Sequence, residues 1–243
     1  ITKISDDKYY LVSAAAAESH DLDWMQKLMP EDGSVTIDNV TYRYGALVLS
    51  GPRSRDVLAK LTDADLSNGG FPFLTMQEIV VGLWKTRALR IGFVGELGWE
   101  FHCPIESVRS IYQALMEAGE EFGIANYGMR ALNSLRLEKG YLVLGGEITS
   151  ERTPIEAGQD RFVDFDKGDF IGRQALLKQK KAGVKARLAL MVVDADDADC
   201  IGDEPVYIGD EIVGRIASGG YGHHLGKSLA MGYLDANAAK PGT

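Results

Sequence analysis

The side chain in this sequence best placed to do chemistry is Glu100, in the stretch Ile91-Gly-Phe-Val-Gly-Glu-Leu-Gly-Trp-Glu-Phe101. Apolar and aromatic residues flank Gly95-Glu96-Leu97-Gly98, and the two glycines permit the positive φ that a tight connection needs. The pattern predicts a β-hairpin, with Ala88 to Val94 going in and Trp99 to His102 coming out. A short loop at those four residues sets Val94 opposite Trp99 and Phe93 opposite Glu100. Glu96 then sits at the tip, in water. Glu100 instead stands on a strand beside an aromatic ring, with Trp99 and Phe101 pointing the other way. A carboxylate fixed among aromatics suits a flat heterocycle with two adjacent N–H donors, because an ionised carboxylate accepts two parallel hydrogen bonds. An ordinary hairpin with a solvated glutamate uses the same residue types, so this pattern alone leaves both readings open.

Other motifs fail on their spacing. Gly226-Lys227-Ser228 resembles the end of a phosphate-binding loop, but the first glycine of that motif falls on Tyr221, and the segment leads into a strand rather than a helix. The acidic run Asp194 to Asp199 resembles a calcium loop, yet counting from Asp197 puts Ile201 and Ile208 where oxygen ligands belong. His20, His102, His223 and His224 share no metal-ligand spacing, so no metal site is expected. No Gly-x-Ser-x-Gly occurs, and no serine or cysteine stands out as a nucleophile. Cys103 and Cys200 are expected to be free thiols in a reducing compartment.

The elements that must hold this stretch follow from hydrophobic periodicity. Ile1 to Ala17 reads as two strands about Ser5-Asp6-Asp7, with Tyr10 and Val12 on one face and Leu11 on the other. Ser19 is placed to cap a helix, with Asp21 and Asp23 near its positive end and Leu22, Met25, Leu28 and Met29 as its buried stripe. Val35 to Ser50 reads as a hairpin turning at Asp38-Asn39. Gly51-Pro52 opens a helix with Val57, Leu58 and Leu61 facing inward. Strands follow around Glu78 to Trp84 and Ala88 to Val94. Pro104 begins the clearest helix, where Val108, Ile111, Tyr112, Leu115 and Met116 recur at helical spacing until Gly123. A further helix covers Tyr127 to Lys139 and stops at Gly140. The long irregular segment from Tyr141 to Asp166 is of the kind that is functional or wraps a partner. Ile171 to Lys181 gives one more helix. From Ala186 the pattern changes to short strands, Leu188 to Val193, Pro205 to Ile208, Glu211 to Ser218 and Ser228 to Leu234, which suit a small antiparallel barrel or sandwich. A boundary near Lys181 to Lys185 separates an α+β region, 1–181, from this C-terminal β domain, 186–243.

With 243 residues there is room for one large domain or two modest ones. The net charge of −9 argues against nucleic acid and anionic membrane surfaces, both of which reward clustered Lys and Arg. No apolar run approaches the ~20 residues of a membrane span. Ile1 opens directly into a strand pattern, and Lys240-Pro-Gly-Thr243 is a turn signal that normally leads into another strand, so the chain is expected to be a piece of something longer.

Four segments in order carry a resemblance: Gly95-Glu-Leu-Gly-Trp-Glu100, Ser134-Leu-Arg-Leu-Glu-Lys-Gly140, Asp169-Phe-Ile-Gly-Arg173, and Ser218-Gly-Gly220 with Lys227-Ser-Leu-Ala-Met-Gly-Tyr233. Together they resemble the glycine-cleavage T-protein family of folate-dependent aminomethyltransferases, including the folate domains of dimethylglycine and sarcosine dehydrogenases. The resemblance spans Tyr9 to Thr243. It implies an α+β T-protein-like folate-binding fold, with mixed α/β sheet domains plus a C-terminal antiparallel β-barrel, and tetrahydrofolate held in a central channel. The second glutamate of the family's hairpin motif binds the pterin edge, which implies that role for Glu100. Phe93 falls where many members carry tyrosine, and Tyr10 and Val12 fall on the strand that lines the channel.

Two departures from the family pattern narrow the reading. The family's catalytic aspartate aligns just ahead of Ile1, so no catalytic residue is expected within the chain. Where glycine-cleavage members carry Ala-Arg-Asp, with an arginine on folate, this chain has Ala131-Leu132-Asn133, like the dehydrogenase-linked branch. The expected activity is therefore capture of a methylene unit, from an N-methyl amine-derived iminium, as 5,10-methylene-tetrahydrofolate. FAD enters only if a dehydrogenase domain lies upstream. An aminomethyl-lipoyl carrier as the carbon source, or a folate-binding module without turnover, are the alternatives. The expected location is cytoplasmic, or the mitochondrial matrix in a eukaryote.

Overall fold

The computed structural model describes residues 1–242 and divides into two compact units between Asn126 and Tyr127. The first unit opens with a hairpin of β1 (Thr2–Ser5) and β2 (Lys8–Tyr10), followed by α1 (Glu18–Leu28). It continues with β3 (Tyr44–Ser50), α2 (Ser54–Ala59), β4 (Met76–Val81), β5 (Trp84–Leu89), β6 (Gly98–Pro104) and α3 (Val108–Gly119). Four of these strands form an antiparallel sheet in the order β3-β6-β5-β4. Alternation along β6 sends Trp99, Phe101 and Cys103 to one face, where they are buried with Leu49, Val57, Leu58, Ile111 and Leu115. The inward stripes of α2 and α3 cover that face; the other carries the polar residues.

Three expectations for this unit are corrected. Val35 to Asn39 form no strand, and β3 pairs with β6 from Tyr44↔Pro104 to Ser50↔Gly98. Asn39 Oδ1 accepts the Thr41 N–H at 3.0 Å, a local turn that competes with a ladder, whereas pairing with β6 lets Leu47 and Leu49 join Trp99 and Phe101 in the core. Helix α1 begins at Glu18, so Ser19 lies inside it, and none of its residues is buried; Leu28 is exposed. Strands β4 and β5 turn tightly at Gly82-Leu83, so Trp84 opens β5 instead of closing β4.

The two glycines of the hairpin motif do different work. Gly95 takes φ +73°, which favours glycine. Gly98 is needed for space: a Cβ there would lie 2.4 Å from the Leu49 carbonyl oxygen. Gly98→Val is expected to cost about 1–3 kcal/mol by forcing β3 and β6 apart, read as a lower urea midpoint.

Cys103 lies in the same core, and burial pushes its thiol from 9.0 up to about 11. The unfolded chain ionises first, so stability contributed by this thiol holds below about pH 9 and is lost as pH rises to about 11. At mildly alkaline pH a thiol reagent is expected to label Cys103 only after denaturation, and Cys200 before it, as mass spectrometry would show.

The second unit contains α4 (Met129–Glu138), α5 (Arg173–Ala182), β7 (Ala186–Val193), β8 (Pro205–Ile208), β9 (Glu211–Gly222) and β10 (Lys227–Asp235). Gly140 takes φ +64° where α4 stops. The four strands form an antiparallel sheet in the order β7-β10-β9-β8, so the fold is α+β as expected, with an all-β C-terminal part. Leu137 of α4 packs on Leu229 and Met231 of β10. Below them, Arg136 and Glu147 form an ion pair at 2.9 Å, both fully buried. Arg136 also donates to Tyr141 O, Asn133 Oδ1 and Ser218 Oγ. Glu147 accepts from the Val143 N–H and the Ser218 hydroxyl, and its carbonyl accepts the Tyr233 hydroxyl. The irregular chain after α4 is thus tied into the unit's core.

Candidate functional site

Glu100 lies on the face of β6 opposite Trp99 and Phe101, between Val48 of β3 and Leu89 of β5. The hairpin register differs from the sequence expectation, since β5 ends at Leu89 and Leu89 itself faces Glu100. The connection is the longer segment Arg90–Leu97. It peels away because Arg90 continues the ladder on the β4 side, donating to Thr75 O and accepting from the Leu74 N–H, while the Ile91 N–H closes a three-residue turn onto Leu89 O. Phe93 therefore sits in this connection, exposed, and not opposite Glu100. Glu96 is exposed at the tip.

Tyr10 is brought to Glu100 and Val12 is not. The β1–β2 ladder ends at Thr2↔Tyr10, so Val12 lies beyond the strand, with about half its surface exposed. The Tyr10 hydroxyl lies 2.8 Å from Nδ1 of His102, and Nε2 of His102 lies 2.7 Å from Oε1 of Glu100. The Tyr10 and His102 rings meet edge to face, with centroids 5.5 Å apart. His102 is buried, whereas 27% of the Glu100 side chain remains exposed.

Arg87, directly across from His102 on β5, completes the cluster. Its guanidinium stands 4.6 Å from the Tyr10 ring centroid and 4.8 Å from that of Tyr44, with Glu78 at 3.6 Å. Burial raises the Tyr10 hydroxyl above its usual range, and Arg87 opposes that rise, so the hydroxyl keeps its proton near neutrality. The face thus presents a partly exposed carboxylate anchored by a buried imidazole, with the Tyr10 ring against that imidazole and Arg87 across from it. The carboxylate's free acceptor oxygen fits the edge of a flat heterocycle bearing adjacent N–H donors.

His102 and Arg87 are the residues that sequence reasoning missed. His102 had a signal, since it stands two positions from Glu100 and therefore on the same face of a strand. Arg87 had none, because its place depends on the β5–β6 register. Two recesses, of about 510 and 370 Å³, are lined by residues of the second unit such as Val213 and Ala175, and include none of the expected binding residues.

Comparison with known proteins bears on both units. The family described as "GCVT N-terminal domain" matches residues 1–167, and "Glycine cleavage T-protein C-terminal barrel domain" matches 186–243. Human mitochondrial dimethylglycine dehydrogenase is 39% identical over 98% of this chain, which spans 28% of that protein's length. An aminomethyltransferase from Thermoanaerobacter sp. (strain X514) is 33% identical over 100% of the chain and 65% of its own. The crystal structure of glycine cleavage system aminomethyltransferase T from Bartonella henselae superposes with a TM-score of 0.67 at 28% identity, over 79% of this chain and 52% of that one.

Proposed function

Because the chain belongs to the glycine-cleavage T-protein family, we propose that it binds tetrahydrofolate at Glu100 and captures a one-carbon unit as 5,10-methylene-tetrahydrofolate. The observation that carries this reading is the partly exposed Glu100 carboxylate, held by His102, whose other ring nitrogen meets the Tyr10 hydroxyl. Glu100 would accept the adjacent N–H donors of the pterin edge. Tyr10 would supply an aromatic wall, while Phe93 and Val12, both exposed, would provide apolar cover. When bound, tetrahydrofolate supplies the two nitrogens that take up the carbon. The chain's own task is to hold that ligand in one orientation and keep water from the incoming carbon, so that capture outruns hydrolysis to formaldehyde.

The carbon source we favour is an iminium made from an N-methyl amine by a flavin domain elsewhere in the protein. Ala131-Leu132-Asn133 supports this branch, since no arginine is available at Leu132. An aminomethyl-lipoyl carrier is the second reading. The domain division we favour is 1–181 and 186–243, and the compartment is the cytoplasm, or the mitochondrial matrix in a eukaryote.

The test is to supply the full-length protein with dimethylglycine or sarcosine and an electron acceptor, with and without tetrahydrofolate. Free formaldehyde is expected to fall as 5,10-methylene-tetrahydrofolate appears in matching amount. Tetrahydrofolate binding without this shift would leave a binding module, and no binding at all would remove the reading.

A further inference from the structure

We propose that His102 is a positioning residue for Glu100: its Nε2–H holds Oε1 of the carboxylate while the Tyr10 hydroxyl holds its Nδ1, so that Glu100 meets an N–H-bearing heterocycle in one orientation. The inference rests on Glu100 being the ligand's acceptor. Its geometry is a chain of two hydrogen bonds, 2.7 Å from Glu100 Oε1 to His102 Nε2 and 2.8 Å from His102 Nδ1 to the Tyr10 hydroxyl. A carboxylate at neutral pH offers no proton, so Nε2 must carry one. In the neutral ring that leaves Nδ1 as an acceptor, and the Tyr10 hydroxyl, which burial keeps protonated, is the donor beside it. Each partner therefore selects the tautomer that the other needs.

The surroundings make the imidazole a better anchor than water. His102 is buried, flanked by Arg87 of β5 and Ala46 of β3, and the Arg87 guanidinium is engaged with the Tyr10 and Tyr44 rings and Glu78. Arg87 thereby fixes the Tyr10 ring that fixes His102. The carboxylate's remaining lone pairs stay open to a ligand, because only one oxygen is bonded to His102. A glutamate already held in one rotamer loses less entropy on binding than a free one.

Calorimetry with tetrahydrofolate on the full-length protein tests this with four variants: His102→Phe, His102→Gln, Tyr10→Phe and Glu100→Ala. Gln places an amide N–H near the position of Nε2, whereas Phe places none. His102→Phe is expected to weaken binding about tenfold, by losing one charge-assisted hydrogen bond, and His102→Gln to recover most of that loss. Melting temperature should fall in both His102 variants alike, which a merely structural role would also give; the affinity difference between them is what positioning requires. Equal affinities for the two His102 variants, whether both weakened or both like wild type, would overturn the proposal while leaving the Glu100 reading intact. Unchanged affinity in Glu100→Ala would overturn both together. Should His102→Phe fail to fold, Tyr10→Phe, which keeps the ring and removes the hydroxyl, decides: affinity about threefold weaker supports the lock on Nδ1, and unchanged affinity ends it.

Discussion

Glu147→Ala is expected to destabilise the second unit by about 3–5 kcal/mol, the usual cost of removing one partner of a buried ion pair. Glu147 is fully buried, and its carboxylate receives Arg136, Ser218 and the Val143 N–H. Without it the Arg136 guanidinium remains in the core with its charge uncompensated, and two further donors lose their acceptor. Against a typical domain stability of about 5–15 kcal/mol, the loss removes a large share of the unit's stability. Glu147→Gln should cost less, because shape and one acceptor survive. Replacing Arg136 and Glu147 together by leucine should recover much of the loss, since no orphan charge remains. Urea unfolding of the three variants reads the order; a Glu147→Ala midpoint equal to wild type would show that the pair does not hold the unit together.

The second large effect is on ligand affinity. Glu100→Ala is expected to weaken tetrahydrofolate binding to the full-length protein at least about tenfold, from the ~1.4 kcal/mol that each decade represents. Charge-assisted hydrogen bonds contribute about 1.5–3 kcal/mol each, so losing even one meets that bound. The fold should survive, because Glu100 stands on the open face while Trp99 and Phe101 carry the packing behind it. Its loss leaves the buried His102 Nε2–H without its acceptor, at an expected cost of about 1–3 kcal/mol that a folded unit can bear. Glu100→Gln, with one acceptor oxygen and no charge, should fall between. Calorimetry on the three proteins gives the ranking, and unchanged affinity in Glu100→Ala would take Glu100 out of the site.

Glu100 shows where sequence reading succeeds and where it stops. That Glu100 faces away from Trp99 and Phe101 was legible, because side chains on a strand alternate whatever the strand pairs with. What lies beside it was not. Two glycines suggested a tight loop and a Phe93–Glu100 pair, but Gly98 serves the close approach of β3, and the loop runs from Arg90 to Leu97. Helices α3 and α4 and all four strands of the second unit were readable from period and glycine stops. The Val35–Ser50 hairpin and the buried stripe of α1, read from the same local periods, do not form, because strand pairing and helix burial depend on partners distant in sequence.

By itself, then, the sequence determined the alternation of β6, the stripes of α2 and α3, the all-β character of the C-terminal part, and the family through four short motifs in order. These are local properties, set by side-chain type and by the 2.0 and 3.6 residue periods. Only the tertiary structure decided that Tyr10, Arg87 and His102 gather around Glu100, and that Arg136 meets Glu147 and Ser218. Those meetings depend on strand register and on which segments pair, and a single-residue slip in register turns every side chain to the other face.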